Sequence, residues 1–189
     1  KYFIGLDTGS SNIKGILTDN SGSIIASATV PCEYSYPQVD MVEFNIEIFY
    51  GLICKIIKEL ASRVSGPITS ICISGATGNT LLLDKDLLPL YPAISWMDRR
   101  QVDPIFTKEE VHPVVGWPGF DRFPLGHLTW FKQQYPDILN KTHRCCMSND
   151  YITYRLTGNF LIDHSTATTF FYKIKQKVNG ISHSLKNLD

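Results

Sequence analysis

Apolar and polar positions change period several times along the chain, and each change predicts an element. Residues 2–6 form a short apolar run that suits a buried strand. Ile13, Gly15 and Leu17 alternate with Lys14 and Ile16 and predict a second strand. Residues 19–22 (Asp-Asn-Ser-Gly) predict a turn and residues 23–30 a third strand. Three strands joined by such short turns are antiparallel neighbours. Residues 31–45 are irregular and contain Pro31 and Pro37. The period then lengthens: Phe49, Leu52, Ile53, Ile56, Ile57 and Leu60 fall at helical spacing, with Lys55, Lys58, Glu59 and Arg63 facing outward. Asn45 is the predicted N-cap, and Gly66-Pro67 the predicted stop.

Residues 68–74 predict another buried strand, joined to the sheet in parallel by a right-handed crossover. It runs into a small-residue loop, residues 75–80, at the strand's carboxyl end, the edge where open α/β sheets bind ligands. Residues 81–83 resume a strand, residues 84–86 turn, and residues 93–96 are extended and lead into Trp96-Met97-Asp98-Arg99-Arg100. Gly116-Trp117-Pro118-Gly119 predicts a loop, and Leu125, Leu128, Trp130 and Phe131 a helix closed by Tyr135-Pro136. Residues 144–147 predict a strand, followed by a helix from Asn149-Asp150 that Gly158 stops. Residues 160–162 and 169–174 read as strand material, and the tail from Lys175 has little pattern. Residues 1–174 are thus expected as one domain, and residues 175–189 as a polar tail.

Composition narrows the classes. The 189 residues are 43% hydrophobic and 19% charged, ordinary globular material of one large or two small domains. Eighteen acidic side chains balance eighteen basic ones, which gives no reason to expect nucleic acid or an anionic membrane as partner. No apolar run reaches the ~20 residues of a bilayer span. Cys32, Cys54, Cys72, Cys145 and Cys146 are odd in number and lack framework spacing, which suits a reducing compartment. A cytoplasmic location is the expectation, with core positions for Cys145 and Cys146. Neither C-x-x-C nor H-x-x-x-H occurs, so zinc is not expected.

Chemistry concentrates first in the reversal Asp7-Thr8-Gly9-Ser10-Ser11-Asn12. Gly9 permits a positive φ and close backbone approach, so successive N–H groups can face one anion. Thr8, Ser10 and Ser11 add hydroxyl donors, and Lys14 adds charge. Asp7 beside an anion makes sense as a ligand to Mg²⁺ through water, since Mg²⁺ keeps its hydration shell and bridges carboxylate to phosphate. These residues equally suit an ordinary hairpin turn.

I-G-L-D-T-G-S-S-N-I-K, residues 4–14, resembles the opening of the FGGY carbohydrate kinases, D-x-G-T-x-S-x-[KR]. The resemblance continues in order through Val42-Glu43-Phe44-Asn45, I-S-G at 73–75, L-L-L-D at 81–84, Ala93-Ile94-Ser95-Trp96-Met97-Asp98-Arg99-Arg100, and Leu156-Thr157-Gly158 with Asp163 and Ala167. It implies an α/β, ribonuclease-H-like (actin-like ATPase) mixed sheet, three antiparallel strands followed by parallel strands with helices on both faces. Periodicity alone leaves other α/β topologies open. The implied cofactors are ATP and Mg²⁺: Asp7 holds the metal, and Thr8, Gly9, Ser10, Ser11 and Lys14 cradle phosphate. The substrate candidates are Thr77, Gly78, Asn79, Trp96 and Asp98. Trp96 would flank the sugar, with core packing as its alternative. Asp98 would bond a hydroxyl or orient the loop, with an Asp98–Arg99 ion pair as its alternative. Asn79 would bond a vicinal diol or support the turn.

Two departures qualify the resemblance. Ala76-Thr77-Gly78-Asn79 replaces the family's larger polar substrate-loop residues, and His127 stands where a Lys often precedes L-x-W. The family's catalytic Asp lies beyond the matched segment. The chain therefore reads as the amino-terminal part of a longer sugar or polyol kinase, inactive alone and completed by a carboxy-terminal domain. A pentulose, hexulose or related acid fits the loop better than glycerol, and a homodimer of the full-length enzyme is allowed. The alternative is a non-catalytic actin-like binding module.

Overall fold

A computed structural model describes residues 1–105, 107, 109–110, 124–163 and 166–167. The elements run β1 (Tyr2–Thr8), β2 (Asn12–Asp19), β3 (Ile24–Pro31), β4 (Glu43–Phe44), α1 (Ile46–Ala61), β5 (Ile68–Gly75), β6 (Leu81–Leu83), β7 (Ala93–Ile94), α2 (Pro124–Gln134), α3 (Pro136–Lys141), β8 (Arg144–Cys146) and α4 (Ser148–Thr157). The chain divides into two compact units, Lys1–Ser35 with Phe44–Ala76, and Tyr36–Glu43 with Thr77–Asp189.

The first unit is a four-stranded sheet of order β3-β2-β1-β5. β1 pairs antiparallel with β2 and β2 with β3, while β5 lies parallel to β1, as the crossover predicted. Register sets the site. Asp7 is opposite Lys14 on β2 and Ser74 on β5, and Gly5 is opposite Ile16 and Cys72. Alternation then sorts the faces: Ile4, Leu6, Ile13 and Leu17 are buried, while Asp7, Lys14 and Ile16 are exposed. α1 contributes Phe49, Ile53, Ile56 and Leu60 to the buried face. Its approach depends on Gly15, where a Cβ would come within 2.6 Å of Ile56 Cγ2 and 2.8 Å of Leu60 Cδ1. Asn45 caps α1, its side-chain oxygen accepting the Glu47 and Ile48 N–H groups. The helix ends at Ala61, ahead of the Gly66-Pro67 stop. β5 departs from its expected burial, with Thr69, Ser70, Ile71, Cys72 and Ser74 all exposed. It is an edge strand, and α1 is the one helix of this unit among the described residues.

In the second unit Leu81, Leu82 and Leu83 are fully buried and pair antiparallel with Cys146, Cys145 and Arg144. Leu82, Ile94, Trp130 and Phe131 form its core cluster. The proline after Tyr135 closes α2 as expected, but Pro136 also opens a short α3, a first-turn position that proline's missing N–H and fixed φ favour. α4 starts at Ser148, with Asp150 Oδ2 accepting the Met147 N–H at 2.9 Å, and stops at Gly158 in the left-handed region, φ 75°. Residues 160–162 are irregular, not strand. Cys146 is buried and Cys145 half-buried, and burial pushes both thiols up, as for inert core cysteines. The expected loop at 116–119, the strand at 169–174 and the tail from 175 lie outside the described residues. Among the described residues no helix is long and apolar enough to cross a membrane.

Candidate functional site

In the first unit, the β1–β2 reversal presents Asp7 on the face opposite α1. Asp7, Lys14, Gly5, Ile16, Cys72 and Ser74 border an open depression of about 380 Å³. Gly9 does not adopt the positive φ expected of it. Its value is space: a Cβ there would lie 3.1 Å from the Asn12 carbonyl, tighter than ordinary contact, and would just touch Asp7 Oδ1 at 3.5 Å. The loop is pinned from β3. Cys32 N–H donates to Ser11 O at 3.0 Å and Cys32 Sγ to Gly9 O at 3.4 Å. Burial and the nearby Asp7 charge both push the Cys32 thiol up, so it stays protonated and able to donate. Sequence reasoning missed this role, although the β2–β3 register that pairs Asn12 with Pro31 sets Cys32 beside the loop. Thr8 turns out differently from expectation. Its hydroxyl is buried and donates to the Ser74 carbonyl at 3.1 Å, tying β1 to β5. Ser10 is half-buried and Ser11 exposed.

This donor set suits a hydrated divalent cation with a phosphate. One exposed carboxylate can hold the cation through water, and a lysine and a side-chain-free glycine stand next to it. Among the described residues no three His, Cys, Asp or Glu side chains converge to hold a metal by themselves.

The second unit carries the other candidates. Thr77 is exposed, and Gly78 needs its φ of 91° while its N–H points at Met147 Sδ, 3.4 Å away. Asn79 is buried, and its amide is already engaged: Oδ1 accepts the Trp96 N–H at 3.0 Å and Nδ2 donates to Ser148 Oγ at 2.9 Å. Trp96 is 43% exposed, so the core-packing alternative for it fails. Asp98 is fully buried and makes four bonds. Oδ1 accepts from Arg100 N and Nε, and Oδ2 from Arg100 Nη2 and, at 2.6 Å, Val42 N. Of the two roles foreseen for Asp98, orienting the turn is the one these bonds perform. The ion pair is with Arg100, not the exposed Arg99.

Arg100 also donates to Glu43 Oε1 at 2.8 Å and lies 4.1 Å above the Trp130 ring. Burial opposes the Asp98 charge, yet the bonds from Arg100 and Val42 hold its carboxyl below the usual range. Tyr91 donates to Glu43, and burial together with that carboxylate pushes its hydroxyl up to about 12. Removing one member of such a buried charge cluster typically costs ~3–5 kcal/mol, because it strands the others. The cluster holds the backbone after Trp96 at Arg100 and the facing segment at Val42, while Asn79 holds the Trp96 N–H and the indole stays at the surface. Glu43 and Arg100 were legible as parts of motifs, but their pairing across 57 positions was not.

Three antiparallel strands, a crossover helix and a parallel fourth strand, with a carboxylate–glycine turn between the first two strands, define the ribonuclease-H-like, actin-like ATPase class. Within that class, residues 2–178 match the N-terminal domain of the FGGY family of carbohydrate kinases, and the chain belongs to that family. It is 27% identical over 190 residues to a xylulose kinase of Staphylococcus xylosus, covering 93% of this chain and 38% of that protein. A gluconokinase of Bacillus subtilis (strain 168) is 24% identical over 174 residues, covering 88% of this chain and 34% of that one. The structure of a gluconate kinase from Lactobacillus acidophilus superposes with a TM-score of 0.83 at 23% identity, over 90% of this chain and 36% of that one. The chain therefore spans little more than a third of its relatives' length.

Proposed function

We propose that this chain is the amino-terminal part of an ATP-dependent kinase that phosphorylates a hydroxyl of a pentulose, a hexulose or a related sugar acid. The observation behind this reading is the exposed Asp7 carboxylate beside side-chain-free Gly9, on a chain that belongs to a carbohydrate kinase family. Bound MgATP would supply the phosphoryl group and the cation that screens its charge. Asp7 orients the hydrated Mg²⁺, and Lys14, Ser10, Ser11 and the Gly9 backbone hold phosphate oxygens. Thr8 and Cys32 keep that loop in shape. Trp96 offers its apolar face to the sugar, with Thr77 and Gly78 as further contacts. Asn79 acts on the sugar through the Trp96 and Ser148 it holds, and Asp98 through the turn it locks. The proton acceptor for the sugar hydroxyl belongs to the polypeptide beyond this chain, which also completes the substrate cleft. A homodimer of the full-length enzyme and a cytoplasmic location complete the proposal.

The test is a coupled ADP-release assay of the full-length parent on xylulose, fuculose, gluconate and glycerol. The expected result is turnover of a ketose or sugar acid, none of glycerol, and none at all by the isolated chain. Asp7→Ala in the parent should lower kcat by a factor on the order of 10²–10³, the range for losing one strong electrostatic contact. An exposed side chain should leave the ligand-free Tm unchanged. ATP binding without turnover of any sugar would favour a non-catalytic binding module instead.

A further inference from the structure

Helix α2 reaches the Trp96 turn at both ends. His127 and Trp130 stand three positions apart and so share a face of the helix. At one end, His127 Nδ1 and Thr80 Oγ1 share a hydrogen bond of 2.7 Å whose donor is set by the ring tautomer. Thr80 is fixed by a pair of 2.9 Å backbone bonds to Ile94 and directly follows Asn79, whose amide oxygen holds the Trp96 N–H. At the other end, the Trp130 ring lies under Arg100, which grips Asp98. The segment carrying Trp96 is therefore splinted from one helical face.

His127 is not what plain core packing would place there. The ring is 1% exposed, and its Nε2 has no hydrogen-bond partner among the described residues. An apolar side chain of similar volume would avoid the cost of a buried, unpaired nitrogen. Burial depresses the imidazole pKa to about 3, with Arg100 pushing the same way and Asp98 opposing, so the ring is neutral at ordinary pH. A charged contact to phosphate is therefore not its role. What the ring does provide is Nδ1, aimed at Thr80.

We infer that His127 is a positioning residue for the sugar-facing turn, its Nδ1 bond to Thr80 fixing the Asn79 amide and, through it, the Trp96 backbone. The word "sugar-facing" rests on the function proposed above; the positioning itself does not.

Three variants of the full-length parent test this, read by sugar and ATP kinetics and by amide hydrogen exchange at Trp96. His127→Asn keeps a polar atom at the Nδ1 position, whereas His127→Gln moves it to the Nε2 position. Thr80→Val removes the hydroxyl at nearly constant volume. His127→Gln and Thr80→Val should raise the sugar KM roughly tenfold, the effect of one net hydrogen bond, and leave the ATP KM alone. Both should speed exchange of the Trp96 amide. His127→Asn should restore both readouts towards wild type. If His127→Asn behaves like His127→Gln, or if His127→Gln and Thr80→Val leave Trp96 exchange at the wild-type rate, the inference is overturned. Should His127→Gln fail to fold, Thr80→Val decides by the same readouts. Should the parent turn over no sugar, the kinase reading fails while Trp96 exchange still decides the positioning role.

Discussion

Asp150 shows how folding can work against a charge that the local structure nevertheless uses. It caps α4 through the Met147 N–H, yet burial first, and the Asp163 charge after it, raise its carboxyl to about 6. Its ordinary value is about 3.9, so the folded state binds this proton more tightly than the unfolded one. The stability it contributes is complete below the unfolded value and is lost as pH rises through about 6. Asp150→Asn keeps an oxygen for the cap and cannot ionise. Urea unfolding should find it equal to wild type near pH 4 and more stable by on the order of 2 kcal/mol above pH 7. A stability gap independent of pH would show that the carboxyl is not strained by burial. At this scale the sequence was most legible where a residue's job is local. Asn45 as a cap and Gly158 as a stop follow from neighbours within a few positions. Asn79 reads in sequence as a donor and acceptor for a substrate diol or a turn support, whereas its partners here, Trp96 and Ser148, come from 17 and 69 positions away. No local pattern reports them.

Among the elements, β1, β2 and α1 make one packing unit whose closeness hangs on a missing side chain. A Cβ on Gly15 would meet Ile56 and Leu60 at 2.6 and 2.8 Å, whereas one on Gly5, on the other face, would make ordinary contact with Ile16 at 3.4 Å. Gly15→Ala should therefore destabilise the chain by about 1–3 kcal/mol through overpacking, while Gly5→Ala should be neutral or slightly stabilising through lower chain entropy when unfolded. Thermal unfolding of the two variants compares them directly, and equal losses would mean that α1 can shift away freely. Periodicity predicted both strands and the helix, because burial on one face leaves a pattern in the sequence. It could not show that Gly15 lies under α1, since glycine carries no side chain to mark a face. Nor did it show α3: Pro136 reads as a stop, and only the chain's continuation reveals it as a first turn.

For the whole molecule, sequence order hid the division into two units. Tyr36–Glu43 leaves the first unit and returns, and its irregular, proline-bearing composition looks like a simple connection. Glu43 meeting Arg100, Val42 N–H meeting Asp98 and Asp40 O accepting the Arg99 N–H show that the excursion is structural. The parallel placement of β5 was legible from the crossover helix, but its exposure was not, because an apolar strand reads as buried whether or not anything covers it. That exposure has a practical consequence for anyone handling the isolated chain. Among the described residues β5 keeps an open edge of backbone N–H and C=O groups, with Ile71 37% exposed beside it. Such an edge is a template for another copy's edge, and natural sheets block it with charge, proline or cover. Sedimentation of the isolated chain should therefore show reversible self-association that grows with concentration. Ile71→Lys, which puts a charge on the strand, should shift the material back towards monomer. A wild-type chain that stays monomeric at all concentrations would count against an adhesive edge. Solubility of this chain, on that view, is decided by one strand far in sequence from the Asp7 loop.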